Sequence, residues 1–125
     1  MAAASRIVTP GGLIVTAARC NDGFPAHGNF RQLIEASSSA QQLLDRIVQS
    51  KTVILDQWQA QHFAMVLLKA RVALRSELSD ADVRRAHIQP IADVRAAIDA
   101  ELARVGRDAP IAILPEGPLT IPYRA

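Results

Sequence analysis

Disulfide bonding is the first thing this sequence rules out. Its 125 residues include one cysteine, Cys20, so no bridge can close within the chain, and the expected compartment is a reducing one. With only three histidines, all scattered, a Cys/His zinc module is not indicated either. Aromatic residues are few: Phe24, Phe30, Trp58, Phe63 and Tyr123. Charge of one sign is also lacking, because 14 Lys and Arg face 12 Asp and Glu and leave a net +2. Dispersed arginines with few aromatics argue against a nucleic-acid surface. No apolar run approaches the roughly 20 residues that span a bilayer, and none follows Met1 to Arg6 as a leader would require. The reading is a cytoplasmic protein with no membrane and no nucleic acid among its partners.

What is present suits one domain, residues 1–125. Half of the residues are hydrophobic, and a chain of this length withdraws roughly two-thirds of its unfolded surface from water, enough for a core without staples. Pro10-Gly11-Gly12 signals a turn that opens into Leu13 to Ala18, a short apolar run expected of a strand covered on both faces. A loop rich in turn formers follows, from Arg19 to Gly28. Asn29 with Gln32, and Ser38 with Gln41, then predict two helix starts. In the second of these helices Leu43, Leu44, Ile47 and Val48 form one apolar face.

Lys51 to Leu55 reads as the approach to a helix over 57–70, with Asp56 at its N-cap and Ala60, Phe63, Ala64 and Leu67 at i, i+3, i+4 and i+7. Arg71 to Ser76 is expected as the second strand. Ser79 with Asp82 starts a short helix that ends before Pro90. Val94, Ala97, Ile98, Leu102 and Val105 line another helix that Gly106 closes. Pro110 to Leu114 is expected as the last strand, followed by an extended tail over 119–125. Strands alternating with helices predict an α/β fold: a small, mainly parallel sheet of three to four strands with helices on its faces, a Rossmann-like layered domain. A sheet this narrow is expected to lie beside a strand of a preceding domain or a partner chain.

Open parallel sheets bind ligands beyond the carboxyl ends of their strands. The candidate positions are therefore Cys20, Asn21, Asp22 and Gly23 after the first strand, Ser76 and Glu77 after the second, and Glu116 and Gly117 after the third. Asp56, Gln57, Trp58 and Gln59 sit at a helix start, where free N–H groups and the positive dipole end favour an anion. Each has a plainer reading. Asn21-Asp22-Gly23 suits an ordinary turn, Cys20 has no base tied to it in sequence, Trp58 could simply pack, and Gln57, Gln59 and Gln61 cannot all face one way. His27 lies in a loop, whereas His62 and His87 read as helical residues at the edge of the core. No glycine-rich phosphate loop, nucleophile elbow or metalloprotease helix is present, so no catalytic residue and no metal ligand is assigned.

The order Pro10-Gly11-Gly12, a strand, Ala18 to Phe24, then Asp56-Gln57-Trp58-Gln59-Ala60-Gln61, a strand ending at Ser76, and Ile113 to Pro122 resembles the C-terminal domain of the nickel-dependent lactate racemase family. The resemblance covers nearly the whole chain. It implies one part of a two-domain enzyme that interconverts 2-hydroxy acids by hydride transfer on a nickel pincer nucleotide bound between the domains. The family's nickel-binding and acid–base histidines belong to the N-terminal catalytic domain, which no segment here matches. The chain is then expected to be inactive alone, to carry no cofactor by itself, and to need that domain or a partner chain. Its own part is to close the cleft on a small 2-hydroxy acid, with Gln59, Trp58, Gln57, Asp56, Asn21 and Asp22 as the contact residues. The family pattern has a lysine at about the position of Gln59, and a neutral amide there can donate a hydrogen bond without the charge. The alternative is a non-catalytic binding or assembly module derived from that domain.

Overall fold

The computed structural model describes residues 1–24 and 27–122. The elements run α1 (Ala2–Ser5), β1 (Leu13–Ala17), α2 (Phe30–Glu35), α3 (Ala40–Gln49), α4 (Gln57–Lys69), β2 (Arg71–Arg75), α5 (Asp80–Arg85), β3 (Gln89–Pro90), α6 (Val94–Val105) and a 3-10 turn at Gly117–Leu119. The three strands form one parallel sheet in the order β1-β2-β3, the α/β architecture expected from the alternation of strands and helices.

Period-two alternation divides the strands between two faces. Ile14, Val72 and Leu74 pack with Val66 of α4 and Val83 of α5 in one buried cluster. Ala73, also buried, points to the opposite face, on which α6 lies against β1. A second cluster of Ile34, Leu43, Ile47, Ala60 and Ala64 joins α2, α3 and α4. Phe24 and Phe63 touch both clusters, so α4 is held between the sheet and the α2–α3 layer. Alanine at 60 and 64 is what lets α3 and α4 approach closely.

The apolar face of α4 falls where its i, i+3, i+4 spacing puts it, and Lys51 to Leu55 is indeed an approach and not a strand. Other boundaries shift. The serine that caps α3 is Ser39, whose hydroxyl accepts from the Gln42 N–H at 3.1 Å. Ser38 is one residue outside and gives its N–H to the Gln42 side chain. Both Ser38…Gln41 and Ser39…Gln42 fit the capping pattern, and the frame adopted is the one that buries Leu43 and Ile47. Val48 is then left exposed, beyond the apolar face. Asn29 stands at the N-cap of α2 but makes no side-chain cap bond.

The third strand is not where it was expected. Pro110 to Leu114 forms no ladder among the described residues, and Ile111 and Ile113 are 55% and 83% exposed. A proline at each end, at 110 and 115, removes donors that a ladder would use. The strand that pairs with β2 is Gln89–Pro90, only two residues long, and the Ile91 N–H continues it to the Leu74 carbonyl at 3.0 Å. Pro90 is tolerated there because β3 is an edge strand. Residues 123–125, the end of the expected extended tail, lie outside the described residues.

Candidate functional site

The carboxyl ends of β1 and β2 are laced together beyond the strands themselves. Ala18 donates its N–H to the Arg75 carbonyl and Glu77 donates to that of Arg19, both at 3.0 Å. Arg19 and Glu77 also form an ion pair at 3.1 Å, well exposed to water and therefore weak. The chain then reverses in a turn in which Gly23 donates to the Cys20 carbonyl at 3.0 Å, with Cys20 and Gly23 both at positive φ. Cys20 is half-buried against the core, which is the plain reading of that residue. Asn21 and Asp22 are exposed and hydrogen-bonded to each other at 3.3 Å.

α4 brings its first turn to this same end. Its last residue is one step from β2, and the Lys69 carbonyl accepts from Gly11 just before β1. The helix therefore runs antiparallel to the strands and begins beside the loops that follow them. Asp56 holds its N-cap position at φ +67 but makes no side-chain bond to α4. The carboxylate reaches instead to the Asn29 N–H at the start of α2, at 2.8 Å. Gly28 makes this approach possible, because a Cβ there would lie 2.1 Å from Asp56 Oδ2.

The four residues of this turn have different fates. Gln57 accepts from the Ile54 N–H at 2.9 Å and donates to the Ile47 carbonyl at 3.3 Å, so both ends of its amide are committed to backbone. Trp58 is 64% exposed and meets His62 edge to face, with ring centroids 6.1 Å apart. Gln59 is exposed. Among the described residues no hydrogen bond reaches the Trp58 and Gln59 backbone N–H groups, which leaves two donors open at the positive end of a 13-residue helix. The Asn21–Asp22 pair and the Asp56–Gln59 turn share this end of the sheet, with no hydrogen bond between them among the described residues.

Glu116 does not join them. Glu101, in α6, pairs with Arg71 at the start of β2, so α6 delivers the chain to the amino end of the sheet. The turn at Gly117–Leu119 packs there on α1, whose Ser5 carbonyl accepts from Lys69. Without a strand at 110–114 to carry it back, Glu116 stays at the opposite end. Around Glu101, hydrogen bonds from Arg104 and then Arg71 hold the carboxyl down to about 2. A second polar concavity, between α2 and α5, drew on positions that spacing could not relate, from Arg31 to His87. The adjacent Arg84-Arg85 pair was its one local signal.

Together the sheet and its loops define an open parallel-sheet α/β domain, with the loops after β1 and the start of α4 gathered at the strand carboxyl termini. Within that class the chain belongs to the lactate racemase C-terminal domain family, whose model matches residues 1–121. It is 29% identical over 120 residues to lactate racemase of Lactiplantibacillus plantarum and 28% identical over 120 residues to that of Thermoanaerobacterium thermosaccharolyticum. Each match covers 94% of this chain and 28% of the relative. The solved lactate racemase apoprotein from T. thermosaccharolyticum superposes with a TM-score of 0.81 at 25% identity, over 92% of this chain and 28% of that one. The chain thus spans little more than a quarter of the length of these relatives.

Proposed function

We propose that this chain is the cleft-closing part of a lactate racemase-type isomerase. The reaction is racemisation or epimerisation of a small 2-hydroxy acid by hydride transfer on a nickel pincer nucleotide, and the chain is inactive by itself. The observation that carries the reading is the family match over residues 1–121. Among the described residues no three His, Cys, Asp or Glu side chains gather as a metal ion requires. On this reading the nickel-binding and acid–base histidines belong to the N-terminal domain of the family, so the hydride chemistry falls to the remaining length of the enzyme, whether on the same chain or another.

The share of this chain is to bind and to exclude water. The open N–H groups of Trp58 and Gln59 and the dipole of α4 suit the carboxylate of a 2-hydroxy acid or an anionic part of the nucleotide. The Gln59 amide adds a neutral donor, the Trp58 indole a wall. Asn21 and Asp22 at the rim suit a hydroxyl, since an amide donates to it and a carboxylate accepts from it. Gln57 supports the turn from behind. The exposed apolar residues next to it, Val53 at 94% and Leu55 at 70%, suit contact with further protein.

Adding the chain to a nickel-loaded lactate racemase truncated before its C-terminal domain tests the reading. Restored interconversion of the enantiomers of a 2-hydroxy acid, with none from either piece alone, is the expected result. A stable complex that turns over no hydroxy acid would favour the assembly-module alternative and contradict the proposal.

A further inference from the structure

We propose that the outer edge of β1 takes a further β-strand, supplied by the remaining length of a lactate racemase-type enzyme. The inference rests on the reading of this chain as part of such an enzyme, and it names a contact that joins the two parts.

The register of the sheet shows which backbone groups are free. Gly12 accepts from the Arg71 N–H at 2.9 Å and Ala18 donates to the Arg75 carbonyl at 3.0 Å, one at each end of the β1–β2 ladder. Successive residues of a strand turn their N–H and C=O groups to opposite sides, so Gly12, Ile14, Thr16 and Ala18 face β2. Leu13, Val15 and Ala17 direct both groups away from it. Among the described residues no hydrogen bond reaches these groups, and β1 has β2 as its one neighbour in the sheet.

The strand is not built to stay uncovered. Edge strands are commonly guarded by charge, proline or shortness, and β3 shows this at the other edge, with two residues of which one is Pro90. β1 is Leu13-Ile14-Val15-Thr16-Ala17, five residues without charge or proline and with three β-branched side chains in a row. That is the composition of an interior strand of a parallel sheet.

α6 gives a second, independent indication. It lies against β1, on the face that carries Leu13, Val15 and Ala73, yet none of its 12 residues is buried. Ile98 and Leu102 are half-buried, and Val105 is 47% exposed. A helix laid on a sheet ordinarily buries one apolar stripe. A strand set beside β1 would extend the floor under α6 and pair the free groups of Leu13, Val15 and Ala17 in the same step. The occupant follows from length. The chain spans only 28% of each lactate racemase it matches, so most of such an enzyme is left to supply the strand.

The test is amide exchange of the full chain, alone and mixed with a nickel-loaded lactate racemase truncated before its C-terminal domain. Alone, Leu13, Val15 and Ala17 are expected to exchange fast, while Ile14, Thr16 and Ala18 are protected by β2. In the complex the first three slow about tenfold or more. Ala17→Pro removes an outward donor and no ladder bond, so it weakens association about tenfold, whereas Ala17→Ser keeps the donor and the affinity. Protection of the three amides without turnover of a 2-hydroxy acid would uphold the edge contact and defeat the racemase reading. Turnover with the three amides still exchanging fast would do the reverse. Absence of association would overturn the proposal, and so would protection that appears in the chain alone as its concentration rises, which would give the edge to a second copy.

Discussion

Asp56 stands at the head of α4 and caps α2: its Oδ2 accepts the Asn29 N–H at 2.8 Å. One carboxylate thereby joins two helix starts at the carboxyl end of the sheet. It makes no bond to its own helix, where the Trp58 and Gln59 N–H groups have no partner among the described residues.

This bond depends on the space at Gly28, which has φ +71 and no room for a Cβ beside Asp56. Gly28→Ala is expected to destabilise the chain by about 2 kcal/mol, from backbone strain and the displaced carboxylate together. In an Asp56→Gly background the same substitution should cost about half as much, since only the strain remains. Urea denaturation of the four variants checks this; equal costs in both backgrounds would show that the two residues are not coupled.

Caps separate residues that look alike in sequence. Ser39, Ser79 and Asp93 each accept a backbone N–H at the start of their helices, so alanine at each is expected to cost about 1 kcal/mol. Asn29 makes no such side-chain bond, and Asn29→Ala should cost about half as much or less. Thermal unfolding of the four variants measures the order.

The pH dependence follows from Glu101. Its carboxyl is lowered to about 2 from 4.5, by hydrogen bonds from Arg104 first and Arg71 second. Because the folded value lies below the unfolded one, the stability it contributes is present above about pH 4.5 and is lost as pH falls toward 2. Glu101→Gln is expected to lower the melting temperature by a few degrees at pH 7 and to flatten its decline below pH 4.5. A variant with an unchanged acid limb would show that other carboxyls set it.

Gln57 and Gln59 should part company. Gln57 ties the head of α4 to Ile47 and Ile54, so Gln57→Ala is expected to lower stability by about 1 kcal/mol. Gln59→Ala is expected to leave the melting temperature alone and to weaken hydroxy-acid binding in the reconstituted enzyme by about 0.5–1.5 kcal/mol. Paired melting and binding measurements distinguish the two; the reverse pattern would make Gln59 structural.

Much of the fold could be read because its signals are local. Leu13 to Ala17 is a short apolar run after the Pro10-Gly11-Gly12 turn signal, Arg71 to Arg75 holds the apolar Val72-Ala73-Leu74, and the 3.6-residue spacing of α4 is written in Ala60, Phe63 and Ala64. The third strand could not be read, because two residues at Gln89–Pro90 carry no periodicity and acquire strand character only by lying beside β2. Pro110 to Leu114 showed a stronger strand pattern yet forms no ladder among the described residues, with prolines at 110 and 115 removing donors. The same limit applies to the carboxyl end of the sheet. The helix start at Asp56 was visible, but its bond to Asn29 spans 27 residues.

The most direct measurement is amide hydrogen exchange at Trp58 and Gln59 in the reconstituted enzyme, with and without a 2-hydroxy acid. The expected result is selective slowing of these two N–H groups when the acid is present, with exchange in the β1–β2 core unchanged. Turnover of the acid with no change at Trp58 and Gln59 would contradict the assignment of the α4 amino end as the closing contact.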